Sequence, residues 1–167
     1  MPKLKNNKGF TLVELLVVIV IVGILATTLM LVINPGALTA KSRDTRRLAD
    51  MDTLHKSLGL ALAEQEIQLT AVASATSAAG ASTQVVDGTG WVQFTIPTGK
   101  TGLSKYVSSL PLDPTNSGAN IYTYASDATN YELNAVLEHA DNAAKMSSDG
   151  GDNTAVYEVG TTLILLN

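Results

Sequence analysis

Apolar residues fill almost every position from Phe10 to Ile33. The polar exceptions in these 24 residues are Thr11, Thr27 and Thr28, and the only charge is Glu14. An α-helix rises 1.5 Å per residue, so about 20 such residues cross the hydrocarbon core of a bilayer. The run therefore predicts a membrane-spanning helix. Asn34-Pro35-Gly36 follows it. Proline removes a backbone donor and glycine lacks a Cβ, so the helix should kink, loosen or break at Pro35 and Gly36. Helical periodicity then returns: Leu48, Met51, Leu54, Leu58, Ala61 and Leu62 recur at three- and four-residue spacing, with charge around them. This predicts an amphipathic helix over residues 34–66 whose apolar stripe packs on a sheet.

Beyond the helix the period changes. Residues 70–83, TAVASATSAAGAST, are almost entirely Ala, Ser, Thr and Gly, and read as part of a variable loop over 67–90. Residues 91–167 then offer short strand-like runs. Trp91–Ile96 alternates between Gly90 and Pro97, and Ile121–Ala125 and Tyr131–Leu137 flank a hairpin turn at Ser126–Asn130. Ala155–Val159 and Thr162–Leu166 predict two further strands, and Thr101–Ser109 a short helix.

Composition limits the core. Aromatic residues make up 5% of the chain and there is no cysteine, so the domain must hold by packing, by an ion or by its neighbours. The net charge of −4 is unevenly spread, because residues 1–9 carry Lys3, Lys5 and Lys8 and no acid. Lysines before an apolar span place the N-terminus in the cytoplasm. A secretory signal would have a shorter apolar part and end at a small-residue cleavage site. Ala26-Thr27-Thr28 is a poor one, so an anchor uncut at that point fits better. Without residues 1–9, eight basic residues face 15 acidic ones. That balance argues against general nucleic-acid binding, although the basic cluster Lys41–Arg47 leaves contact with DNA or lipid phosphates open. The plainer reading of that cluster is a solvated face or salt bridges between subunits.

Glu14 is the misfit. A carboxylate at mid-bilayer costs about 2.5–3.5 kcal/mol on insertion scales, and less near the interface. Either Glu14 lies close enough to the headgroups to be tolerated, or it awaits a positive partner inside a helix assembly.

Lys8-Gly9-Phe10-Thr11-Leu12-Val13-Glu14 resembles the N-terminus of type IV pilins and of the pseudopilins of type II secretion. The resemblance implies cleavage between Gly9 and Phe10 by a prepilin peptidase, with methylation of the new Phe10 amine. It gives Glu14 the family's assembly role, in which the carboxylate neutralises the N-terminal amine of a neighbouring subunit and sets register. Gly23 matches a glycine common in the same helix; with Pro35 and Gly36 it is a candidate flexibility point, although relatives usually place their helix-disturbing proline earlier. The implied fold is α+β, the pilin fold: a long N-terminal helix, membrane-spanning in its first half and amphipathic in its second, packed on a small antiparallel β-sheet. Leu110-Pro111-Leu112-Asp113-Pro114, Tyr122-Thr123-Tyr124 and Tyr131-Glu132-Leu133 resemble the sheet region of bacterial pilins and major pseudopilins.

The implied segments are a leader (1–9), a filament-core helix (10–33), an amphipathic helix (34–66), a variable loop (67–90) and a sheet domain (91–167). The implied partners are further copies of the chain, the prepilin peptidase, an inner-membrane assembly platform with its ATPase, and membrane lipid before assembly. The precursor would sit in a prokaryotic cytoplasmic membrane and end in a surface filament. A pseudopilus of a secretion or competence system is the alternative within the class, and a monomeric anchored binding module the alternative outside it. The binding module explains the anchor but not the Gly9-Phe10 junction or Glu14.

Catalysis has little to build on. His55 and His139 are the only histidines, and neither a phosphate-binding loop nor zinc-ligand spacing occurs. His139, Asp141 and Ser147 can be drawn as a triad, but without a supporting motif. Ser147–Asn153 contains oxygen ligands of the kind calcium takes, at Asp149, Asp152 and Asn153, a chemistry known in distal loops of major pseudopilins. Asp-Gly-Gly-Asp is first of all a turn sequence, and no metal or other cofactor is assigned.

Overall fold

A computed structural model describes residues 9–78 and 84–166, with residues 31 and 32 described by their backbone alone. The lysines of the leader and residues 79–83 of the low-complexity stretch lie outside it. The chain divides into two compact units, Met1–Thr39 and Ala40–Asn167.

The first unit contains α1, Leu12–Ile33, and the first turn of α2, Pro35–Ala63. Asn34 separates them in a left-handed conformation, φ 43° and ψ 78°. Its carbonyl accepts from the N–H groups of Ala37 and Leu38, and its Oδ1 accepts from Ala37 at 3.3 Å. Asn34 thus ends one helix and opens the next. Pro35 takes the first helical position, where its missing N–H costs nothing. There are therefore two helices rather than two halves of one.

In the second unit, α2 supplies one wall of the core. Met51, Leu54, Leu58 and Ala61 are fully buried, and Leu62 packs against the same cluster. The helix ends at Ala63 through paired bonds, Glu66 N–H to Ala61 and Gln65 N–H to Leu62, with Gln65 left-handed at φ 55°. A four-stranded antiparallel sheet in the order β2-β4-β5-β6 comprises Val72–Thr76, Tyr122–Ser126, Tyr131–Ala135 and Tyr157–Gly160. β1 (Gln68–Leu69) and β3 (Phe94–Thr95) pair separately. Short helical turns occupy Gly102–Lys105, Ala140–Asn142 and, as α3, Ala143–Met146.

The fold is α+β, as in pilins. Scarce aromatic bulk lies where it fills most space: Trp91, Tyr122, Tyr124 and Tyr131 are all buried. Each keeps its polar end satisfied. Trp91 donates to Pro111 O, Tyr122 to Asp50, Tyr124 to Gln93 O and Tyr131 to His55 O. His55 is accordingly a packed helix residue.

Four expectations change. The region read as a loop over 67–90 contains β1 and β2, because Val72–Thr76 pairs with β4 at the sheet edge, where small side chains suffice. The Trp91–Ile96 run is a strand only at Phe94–Thr95. Trp91 and Val92 are buried consecutively, which strand alternation does not allow. Thr101–Ser109 is helical only over Gly102–Lys105, a single 3₁₀ turn. Thr162–Leu166 forms no strand: its last N–H groups bond to the Glu132 carboxylate instead of a neighbouring strand.

Candidate functional site

The candidate site is the start of α1. Thr11 is the N-cap, extended at φ −82° and ψ 151°. Its hydroxyl accepts from the Glu14 N–H at 3.2 Å, while Glu14 Oε2 accepts from the Thr11 N–H at 2.9 Å and from its hydroxyl at 2.8 Å. This is a reciprocal capping box, with the carboxylate held against the positive end of the helix dipole. The capping role of Thr11 escaped the sequence reading, although Thr-x-x-Glu ahead of an apolar run is its signature.

Gly9 and Phe10 precede the helix and are exposed; a Cβ on Gly9 would meet nothing within 4 Å. The peptide bond between them is therefore open to approach. Gly23 is equally unobstructed. Gly36 begins α2 beside Asn34, where a Cβ would lie 3.5 Å from Asn34 Oδ1.

The helix surface defines the site's chemistry. Leu12–Met30 is long and apolar enough to cross a membrane, and none of it is buried within the chain. Among the described side chains, the large apolar ones from Phe10 to Met30, and Ile33, are 47–86% exposed. Thr27 and Thr28 hide their hydroxyls by bonding back to the carbonyls of Ile24 and Leu25. Glu14 is thus the one charged group on an all-round apolar helix, and such a surface requires lipid or other helices.

In the Lys41–Arg47 cluster, Lys41 and Arg46 stay exposed as a solvated face would have them, but Asp44 and Arg47 do not. The stripe Met51, Leu54, Leu58, Ala61 continues backwards at the same spacing through Arg47 and Asp44, and both are fully buried. Arg47 Nε lies 2.5 Å from Asp113 Oδ2, Nη1 3.0 Å from Asp44 Oδ1, and Nη2 2.6 Å from Glu138 Oε1. Arg43 also pairs with Glu138, and Lys41 with Asp141. Asp44 accepts in addition from the N–H groups of Glu138 and His139 and from Asn142 Nδ2. Burial alone would raise the Asp44 carboxyl, but these donors and Arg47 outweigh it and hold it below the ordinary aspartate range. The cluster ties loops to the helix inside one subunit. It was missed because its spacing looked amphipathic while its residue types looked exposed.

The drawn triad does not assemble. His139 Nδ1 accepts from the Asp141 N–H at 3.1 Å, while the Ser147 hydroxyl donates to the carbonyls of Ala143 and Ala144. The two Asp149 oxygens accept from the N–H groups of Gly151 and Glu158, the work of a turn aspartate.

Residues 4–30 match the prokaryotic N-terminal methylation motif, the prepilin signal of type IV pilins and pseudopilins. No curated protein and no solved structure matches the chain significantly.

Proposed function

From this prepilin signal we propose that the chain is the structural subunit of a type IV pilus-like filament, made as a membrane-anchored precursor. Prepilin peptidase cuts after Gly9, Phe10 becomes the methylated N-terminus, and α1 moves from lipid into a bundle of equivalent helices. The observation that carries this reading is the pairing of an all-round exposed apolar helix with one carboxylate in its first turn.

The physical chemistry supports the assembly step. Burying a Leu, Ile or Val side chain is worth about 1.5–3 kcal/mol, so helices that leave lipid must find equally apolar surroundings. Cleavage creates an α-amino group on Phe10, one turn from Glu14. In the bundle, Glu14 of one subunit neutralises the amine of another, and a wrongly staggered subunit leaves both charges buried without partners, at about 3–5 kcal/mol. Glu14 thereby selects register. Repetition of one non-closing contact gives an open fibre with the sheet domains outside. Pilus and pseudopilus subunits share this design.

Mass spectrometry of the assembled subunit tests the processing step: the mature chain should begin at Phe10 and carry one added methyl group. Glu14→Ala should leave membrane insertion and cleavage intact while filament yield, counted by electron microscopy, falls roughly tenfold or more. Wild-type yield from that variant would sink the register role, and a chain that never enters a fibre would favour an anchored binding module.

A further inference from the structure

The second face of the four-stranded sheet carries an arrangement independent of the N-terminal segment. Glu132 and Asn134 alternate on β5. Glu158 on β6 stands directly opposite Asn134 and diagonal to Glu132. These positions lie on the face opposite Tyr131, Leu133 and Ala135, which belong to the core. All three are nonetheless buried, at 0%, 6% and 2% exposure for Glu132, Asn134 and Glu158.

Two backbone segments meet at these carboxyls. After Gly160 the chain leaves the sheet, and the N–H groups of Leu165 and Leu166 donate to Glu132 Oε2 at 2.6 and 3.1 Å. From the other direction, the Asn153 N–H donates to Glu158 Oε2 at 3.1 Å and the Glu158 N–H to Asp149 Oδ2 at 2.9 Å. Gly151 passes so close that a Cβ there would lie 1.7 Å from Glu158 Oε2. Each glutamate therefore uses one oxygen to hold a strap. Its other oxygen, Oε1 in both, has no partner among the described residues, and neither does Asn134 Oδ1.

The two carboxyls are diagonal neighbours on one face of adjoining strands, and Glu132 acts directly on Glu158. Among the described residues, the charged groups that act most strongly on Glu158 are Glu132 from β5 and Asp149 from the adjoining loop, both acidic. Lys145 of α3 lines a surface groove with Asp149 and Tyr157, but no ion pair among the described residues includes it or either glutamate. Of two buried carboxyls that share a site, one is held protonated well above the usual carboxylate range. Burial and then the Glu132 carboxyl push Glu158 up to about 7, against the lowering effect of the Asn153 N–H.

We propose that Glu132 and Glu158 share one proton between their free oxygens and form a pH-sensitive latch. It holds the 161–166 segment and the 149–153 loop on the sheet in acidic surroundings and loosens both as the pH approaches neutrality. The closed latch binds its proton more tightly than an ordinary glutamate with a value of 4.5. The latch is therefore strongest below about 4.5, weakens as the pH rises, and has lost this contribution once the pH passes about 7. Across that window its opening constant rises roughly tenfold per pH unit, about a hundredfold or more in all.

Hydrogen exchange on the full-length protein in detergent micelles, from pH 4.5 to 8 and corrected for base catalysis, tests this. Peptides covering 149–160 and 161–166 should lose about a hundredfold in protection up to neutral pH and then level off, while β4 and β5 keep theirs. Glu158→Gln keeps both an acceptor for Asn153 and a donor for Glu132, so its protection should stay high and flat. Glu132→Gln, with donor and acceptor exchanged, should behave alike, and unchanged β4–β5 protection reports that either variant is folded. A flat wild-type profile would overturn the latch. So would protection at pH 8 that calcium or magnesium chloride restores and EDTA removes, because a cation would then occupy the place given to the proton.

Discussion

Replacing Arg47 with methionine isolates the buried charge cluster of the soluble unit. Methionine keeps much of the apolar stem and removes the guanidinium. Asp113 then retains only the N–H groups of Thr115 and Asn116, at 2.8 and 3.2 Å, while Asp44 retains three other donors. Glu138 keeps Arg43 and is partly exposed, so it suffers least. Removing one partner from a buried pair costs about 3–5 kcal/mol, and the surviving donors favour the lower half of that range. Against a total stability of about 5–15 kcal/mol this is a large fraction. For the unit Ala40–Asn167 it corresponds to a fall in Tm of roughly 10–20 °C.

Trp91, the only tryptophan and 2% exposed, gives the readout through urea unfolding of the full chain in mild detergent. The pH dependence supplies a second check. The folded Asp44 carboxyl is held below its ordinary 3.8, so its stabilisation is present above that pH and is lost as the pH falls below it. The deficit of Arg47→Met should therefore shrink below about pH 4, as Asp44 takes up a proton. Adding Asp113→Asn should recover part of it at pH 7. A deficit under about 1 kcal/mol at pH 7, or one that is the same at pH 3.5, would refute the charge accounting.

Two further outcomes follow from the same geometry. Gly9→Val should leave uncut precursor in the membrane, and a product mass equal to that of the wild-type chain would show that the cut does not depend on Gly9. Asp127 receives the N–H groups of Thr129 and Asn130 at 2.6 Å in the β4–β5 turn, and these hold its carboxyl down at about 2. Its stabilisation is present above the ordinary 3.8 and is lost as the pH falls toward 2. The difference in Tm between wild type and Asp127→Ala should narrow from pH 4.5 to 2.5, and a constant difference would count against the turn role.

What the sequence alone determined is local or one-dimensional. The apolar run from Phe10, the single carboxylate at Glu14, the interruption around Pro35 and the stripe through Leu58 all follow from residue type and spacing along one helix. The tyrosine-rich hairpin was readable for the same reason, since its turn and alternation lie within a few residues. Tertiary structure alone decided which charges are buried. Asp44 and Arg47 look like solvent residues until Asp113 and Glu138, distant in sequence, arrive to pair with them. Glu132 and Glu158 look like exposed strand positions until the C-terminal segment and the 149–153 loop cover them. The fate of Val72–Thr76 was decided in the same way, because an edge strand of small residues exists only when β4 offers its hydrogen bonds. Burying a charge or pairing an edge depends on what the rest of the chain brings to it, and periodicity along one segment carries no record of that.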